Sequence, residues 1–158
     1  MTLPTIREVQ VSDAVTEKIV HRMLDYSKKL YYPDDLPTEH EFTTDLYKRS
    51  LFIPAGMLVV GKLHLRSCIF HLPVGRLLLI DPMTLDTSVL EQGFLGAAPA
   101  YHRKIVLALA DSVCVNISRT TAMTVEAAEK ELAVDTLSEL NLEEGELPCQ
   151  WAQLQQQV

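Results

Sequence analysis

Two donor atoms for a soft metal stand four residues apart near the middle of the chain: the imidazole of His64 and the thiol of Cys68. Imidazole and thiolate suit zinc and copper, but a divalent ion needs several such donors converging at coordination distance. The surrounding run, residues 53–80, reads "IPAGMLVVGKLHLRSCIFHLPVGRLLLI". It offers one more imidazole, His71. That residue lies three positions past Cys68, so strand alternation sends it to the opposite face. His64 and Cys68 alone make an incomplete metal site. The plainer reading makes Cys68 and Cys114 small core hydrophobes and His64 a hydrogen-bonded lining residue.

Two further groupings carry potential chemistry. His40 stands between Glu39 and Glu41. Flanking carboxylates would favour its charged form and suit it to carrying protons; the alternative is a surface histidine in an acidic linker. Tyr101, His102, Arg103 and Lys104 form a cationic knot. With Arg49, His64 and Arg66, three residues of this knot (Tyr101, Arg103 and Lys104) are candidates to bind a phosphate or carboxylate, since arginine offers a forked donor. The alternative is a solvated loop. The sequence has no GxSxG elbow, phosphate loop of the GxxxxGK[ST] kind, CxxC pair or HExxH. Nothing in it supplies a nucleophile, base and orienting group together. No catalytic residue and no cofactor is expected.

The chain that must position these residues has 158 of them, 47% apolar and 22% charged, which fits one globular domain. A net charge of −7 argues against wrapping a nucleic-acid backbone. Cys68, Cys114 and Cys149 are odd in number and widely spaced, which argues against a disulfide framework. The start "MTLPTIREVQ" lacks a signal-peptide pattern, and the apolar runs are too short to span a bilayer. A non-secreted protein without membrane partners is the expectation.

Residues 12–33, "SDAVTEKIVHRMLDYSKKLYYP", predict a helix. Val15, Ile19, Met23 and Tyr26 make one apolar stripe, and Pro33 stops it. "PDDLPTEHEF" then predicts an extended linker. Between Tyr47 and Ser118 the runs "RSLFIP", "MLVVGKLHL", "SCIFHLP", "GRLLLIDP", "TSVLEQGFL", "RKIVLALA" and "SVCVNIS" predict seven short strands. No helical pattern intervenes, so an antiparallel sandwich or barrel follows. "TVEAAEKELAVDTLSEL" is helical again, with Thr124 as N-cap. The tail after residue 140 is acidic and glutamine-rich.

The run "DLPTEHEFTTDLYKRSLFIPAGMLVVGKLHL" resembles a family of small cupin-like proteins from phages and prophages. The matching residues are Leu36, Pro37, Glu39, His40, Phe42, Leu46, Tyr47, Arg49, the "IPAG" of residues 53–56, Gly61, Lys62 and His64. Gly75 and Arg76 resemble the family's "KGR" turn. "RKIVLALADSV" is similar to its "KRVGYALEDTV", and "VEAAEKEL" to its closing acidic helix. The resemblance covers residues 36–132. It implies a cupin barrel; with the elements read above, the expected fold is mainly β, a single cupin-like antiparallel β-barrel or jelly roll with an N-terminal and a C-terminal helix. The divisions are a helical segment over residues 1–34, the barrel over 35–120, the helix over 121–140 and the tail over 141–158.

The family often reads "H-K-x-x-H" after the glycine, and it has a later histidine. Cys68 and Ser118 stand at those two positions, so the resemblance implies that metal ligands have been replaced. Three functions are then in view. The first is a non-enzymatic virion structural or assembly component in a head, neck or tail. The second is a module that sequesters a small molecule such as a signalling nucleotide. The third is a metal-dependent cupin enzyme. The expected partners are further copies of the chain, other virion proteins or a small anionic ligand, in the host cytoplasm or the virion.

Overall fold

Short runs of β-branched and leucine residues, each bounded by Gly, Pro or Asp, fold here into two facing sheets. A computed structural model describes residues 30–31, 36–80 and 86–134. The strands in chain order are β1 (Leu30–Tyr31), β2 (Thr38–Phe42), β3 (Leu46–Ile53), β4 (Leu58–Val60), β5 (Leu63–His64) and β6 (Cys68–Val74). They continue with β7 (Arg76–Ile80), β8 (Thr87–Glu91), β9 (Phe94–Ala98), β10 (Ile105–Ala108), β11 (Ser112–Arg119) and β12 (Ala133–Val134). One helix among the described residues, α1, spans Val125–Leu132.

One sheet has the order β1-β4-β10-β7-β8 and the other β2-β3-β11-β6-β9. Every pair is antiparallel except β1 with β4. From β3 onward the chain passes repeatedly from one sheet to the other. A single core therefore takes side chains from both: Val59, Leu77 and Val106 on one side, Leu51, Phe70 and Cys114 on the other. Period-two alternation explains which residues enter it. In β3, Tyr47, Leu51 and Ile53 are buried while Leu46 and Lys48 face out. Fully burying one such apolar side chain is worth about 1.5–3 kcal/mol.

The expected seven strands need three corrections. "TSVLEQGFL" is two strands and not one, joined by a turn that crosses between the sheets: β8 pairs with β7 and β9 with β6. Gly93, at φ +92, makes the turn that an L side chain would strain. The expected linker contains β2, paired along its whole length with β3. Pro33 and Pro37 end before Thr38, so they do not interrupt that ladder. Of the expected sandwich or barrel, the described strands make the sandwich, and no pairing among them joins the two sheets. The third correction lies between β4 and β5, where Gly61 and Lys62 break the expected "MLVVGKLHL" strand.

Leu30 and Tyr31, at the end of the expected N-terminal helix, form β1 against β4. They approach Pro33, which disfavours helix in the residue before it. The remainder of that expected helix, Cys149 and the tail lie outside the described residues. Thr124 caps α1, its Oγ1 accepting from the Ala127 N–H at 3.2 Å. The helix stops at Leu132, short of the expected residue 140. Ala133 turns extended and pairs with His64, joining β12 to β5. Ala128 and Leu132 are buried against Tyr47, so α1 closes one end of the sandwich. No helix among the described residues is long and apolar enough to cross a membrane.

Candidate functional site

The site lies between the sheets, at the end that α1 covers. Its first element is Gly61, whose N–H donates to the Lys104 carbonyl at 2.9 Å. A Cβ at Gly61 would sit 3.0 Å from that oxygen, so glycine permits the close approach. Three residues on, the His64 N–H donates to the His102 carbonyl at 2.8 Å. His64 also pairs with Ala133 on its other side. Backbone bonds thus hold the segment of His64 against the segment of His102 and Lys104.

The side chains follow. The rings of His64 and His102 stack, with centroids 4.7 Å apart and planes 13° from parallel. The Nδ1–H of His102 donates to the Pro99 carbonyl. That bond fixes the tautomer: a carbonyl only accepts, so the lone pair is on Nε2. Lys104 Nζ donates to that Nε2 at 2.9 Å. The same ammonium lies 4.6 Å over the centre of the Phe70 ring, a cation–π contact. Cys68 Sγ is 3.9 Å from His102 Nε2 and donates to Asn116 Oδ1 at 3.7 Å.

His64, Phe70, Lys104 and Asn116 border a cavity of ≈ 50 Å³ between the sheets. Arg49, Lys62, His64, Phe70, Lys104, Cys114 and Asn116 line it, with Leu51, Ile53, Val59 and Val106 as its apolar walls. A second space of ≈ 30 Å³ lies under α1, sharing Arg49, Lys62, His64 and Asn116 and adding Tyr47 and Glu129.

Burial sets the protonation of the group. It holds His64 well below the ordinary histidine value, helped by the neighbouring His102 ring and the charges of Lys104, Arg49 and Arg103. Burial, together with Lys104, brings His102 down to about 4. Lys104 is itself lowered by burial, against the pull of Cys68 and Cys114. Burial pushes the Cys68 thiol up and the Cys114 thiol to about 12. Two neutral imidazoles, two neutral thiols and a set of cations therefore share the site at neutral pH.

The sequence candidates divide. Arg49, His64 and Lys104 come together at the cavity. Arg66 does not: it is exposed and binds Glu131 of α1 at 2.5 Å. The chain leaves β5 after His64, so alternation no longer aims Arg66 inward. Tyr101 and Arg103 are not among the residues lining either space. Tyr101 has a left-handed backbone, φ +56, at the bend before His102. Arg103 is buried beside Lys104 and acts on His64 through its charge. Sequence reasoning missed Lys62 and gave His102 no role of its own. Lys62 is two residues before His64 and His102 two before Lys104, so period two was the signal for both.

His40 is not flanked by carboxylates. In β2 the half-buried face carries Thr38, His40 and Phe42, while Glu39 and Glu41 point away. His40 Nδ1 hydrogen-bonds Tyr47 Oη at 2.6 Å, and Glu41 pairs with Lys48 at 3.0 Å. Burial pushes the Tyr47 hydroxyl up to about 12.

Metal chemistry has a better case than the sequence offered. One donor atom each from His64, Cys68 and His102 lie within 4.8 Å of one another. Two imidazoles and a thiol are a donor set that zinc accepts. His71 is on the other face of β6, as alternation requires. In this arrangement, however, the Nε2 lone pair of His102, which a metal would use, accepts from Lys104.

No family model matches the sequence, and no curated protein matches it. Solved structures that resemble it include cupin domains. A cupin domain from Bordetella pertussis Tohama I is 19% identical, covering 54% of this chain and 93% of its own, with a TM-score of 0.45. A cupin-2 domain protein from Shewanella frigidimarina is 12% identical, covering 53% and 80%, with a TM-score of 0.44. KdgF from Halomonas sp. is 16% identical, covering 52% and 76%, with a TM-score of 0.44.

Proposed function

We propose that this chain is a cupin-like module that holds a small organic anion in the cavity between its sheets. One observation carries the reading: Arg49, Lys62 and Lys104 all line that cavity, and no carboxylate does among its lining residues. Three cationic side chains around one space suit an anion, and Arg49 can give a carboxylate a forked pair of hydrogen bonds.

The size of the cavity narrows the ligand. One water occupies about 10–15 Å³ of such space, so ≈ 50 Å³ suits an anion of two or three carbons and not a nucleotide. The test is thermal unfolding with increasing glycolate. A ligand that binds the folded state alone raises the melting temperature with concentration. A saturable rise that Arg49→Ala removes supports the reading; no rise at millimolar glycolate sinks it.

Assembly into a homo-oligomer, as in a virion component, is the second reading. Ile69 and Leu95 are 44% and 66% exposed on the outer face of β6 and β9. Adjacent exposed apolar side chains mark association surfaces. Native mass measurement tests it. A closed oligomer that Ile69→Glu with Leu95→Glu breaks into monomers supports it, and a wild-type monomer at high concentration rules it out.

A further inference from the structure

We propose that the anion is a small oxo acid and that Lys104 captures its carbonyl carbon as a Schiff base, with His102 handling the proton. The inference rests on the anion reading above and adds covalent chemistry to it. The geometry supplies each part. Lys104 reaches the cavity, so its amine can meet a ligand there. Its Nζ is 2.9 Å from His102 Nε2, within reach for proton transfer. The Pro99 carbonyl holds the other ring nitrogen as the donor, which keeps a lone pair aimed at the amine. A nucleophile, a base and a group that orients the base thus stand in a row.

The other cations leave Lys104 available for this step. Arg49 projects from β3, and Lys62 lies between β4 and β5; both line the same cavity. They suit the carboxylate of a bound oxo acid, and Lys104 meets the carbonyl. Burial lowers Lys104, so the ammonium resting in the site gives up its proton more readily than a surface lysine does, which frees the amine to attack.

The step balances without any oxidant. The Nζ lone pair forms the C–N bond while the carbonyl π pair moves to oxygen. One nitrogen proton passes through His102 Nε2 to that oxygen, giving a carbinolamine. The second nitrogen proton leaves with the hydroxyl as water when the C=N bond forms. His102 ends as it began.

The experiment incubates the whole protein with glyoxylate and cyanoborohydride at neutral pH, then maps the modified peptides by mass. The expected product is a carboxymethyl group on Lys104. It should form about tenfold or more faster than on surface Lys48 or Lys130, since general-base assistance alone contributes about 10²-fold or more. Lys104→Arg should carry no adduct at that position, and His102→Gln should slow the trapping. Equal rates at Lys104 and the surface lysines overturn the inference. A parallel arm uses glycolate, which lacks the carbonyl. Glycolate binding without selective trapping leaves the anion reading standing and this inference refuted. Loss of both refutes both. A glycolate-induced rise in melting temperature for Lys104→Arg shows that the variant is folded and its cavity intact.

Discussion

The ammonium of Lys104 donates to Nε2 of His102 across 2.9 Å, and this contact closes the His64, Cys68 and His102 cluster to a cation. A divalent ion entering there would meet a buried positive charge and would have to displace it. Replacing Lys104 by Met removes the charge and frees Nε2. We expect Lys104→Met to take up about one zinc per chain after desalting, read by elemental analysis, where the wild type takes up little. Zinc also requires Cys68 as thiolate, so uptake should grow with pH. Tight zinc in the wild type, unchanged in Lys104→Met, would show that the ammonium is no barrier.

Acid should destabilise the fold through the two stacked imidazoles. Both folded-state values lie below the ordinary 6.5: His64 by burial and the surrounding cations, His102 to about 4 by burial and Lys104. The unfolded chain therefore binds protons that the folded chain refuses as the pH drops. The stability is present above pH 6.5 and is lost on the way down to about 4. His102 alone accounts for on the order of 3 kcal/mol. Urea unfolding across that window measures the loss, and His102→Asn should flatten it. Parallel curves for wild type and variant refute the assignment.

Much of this arrangement was legible in the chain. Period two in "LYKRSLFI" places Tyr47, Arg49, Leu51 and Ile53 on one face, and β3 shows that face turned inward. The same period links Lys62 to His64 and His102 to Lys104. Gln92-Gly93 was a readable turn signal, because glycine there supplies the positive φ that a tight turn demands. What the sequence hides is long-range. Which strand lies beside His64 depends on the order of strands in the sheets, and no local pattern encodes that order. The Cys68–His102 contact crosses 34 positions of the chain, so neither residue announces the other. Arg66 misled for the opposite reason: its type suits an anion, but its partner Glu131 lies on a helix 65 positions away.

Arg66 is therefore a fastener and not a ligand. It holds the loop after β5 to Glu131, which also accepts from Thr120 Oγ1 at 2.8 Å. Arg66 is more than half exposed, so solvent screens the pair, and its loss costs at most about 1 kcal/mol. We expect Arg66→Ala to lower the melting temperature slightly, more at low salt than at high, and to leave glycolate affinity unchanged. A large drop in affinity would return Arg66 to the binding site.

Gly61 offers the sharpest test of how the site is positioned, because two effects oppose each other there. Its backbone is outside the left-handed region, so alanine loses nothing to φ strain. On that ground alone Gly61→Ala would stabilise by about 0.4–1 kcal/mol, through the unfolded chain. The new methyl, however, would lie 3.0 Å from the Lys104 carbonyl, the atom that accepts the Gly61 N–H at 2.9 Å. Backbone cannot swing aside as a flexible side chain does, so the approach to β10 must open by a few tenths of an ångström. Overpacking of this kind costs about 1–3 kcal/mol, which outweighs the entropic gain. We expect a net destabilisation of about 1 kcal/mol in urea unfolding, the difference of those two terms. The same opening carries Lys104 away from Arg49 and Lys62, so glycolate should bind several-fold more weakly. A variant more stable than the wild type, with affinity intact, would show that the approach of Gly61 to Lys104 does not set the cavity.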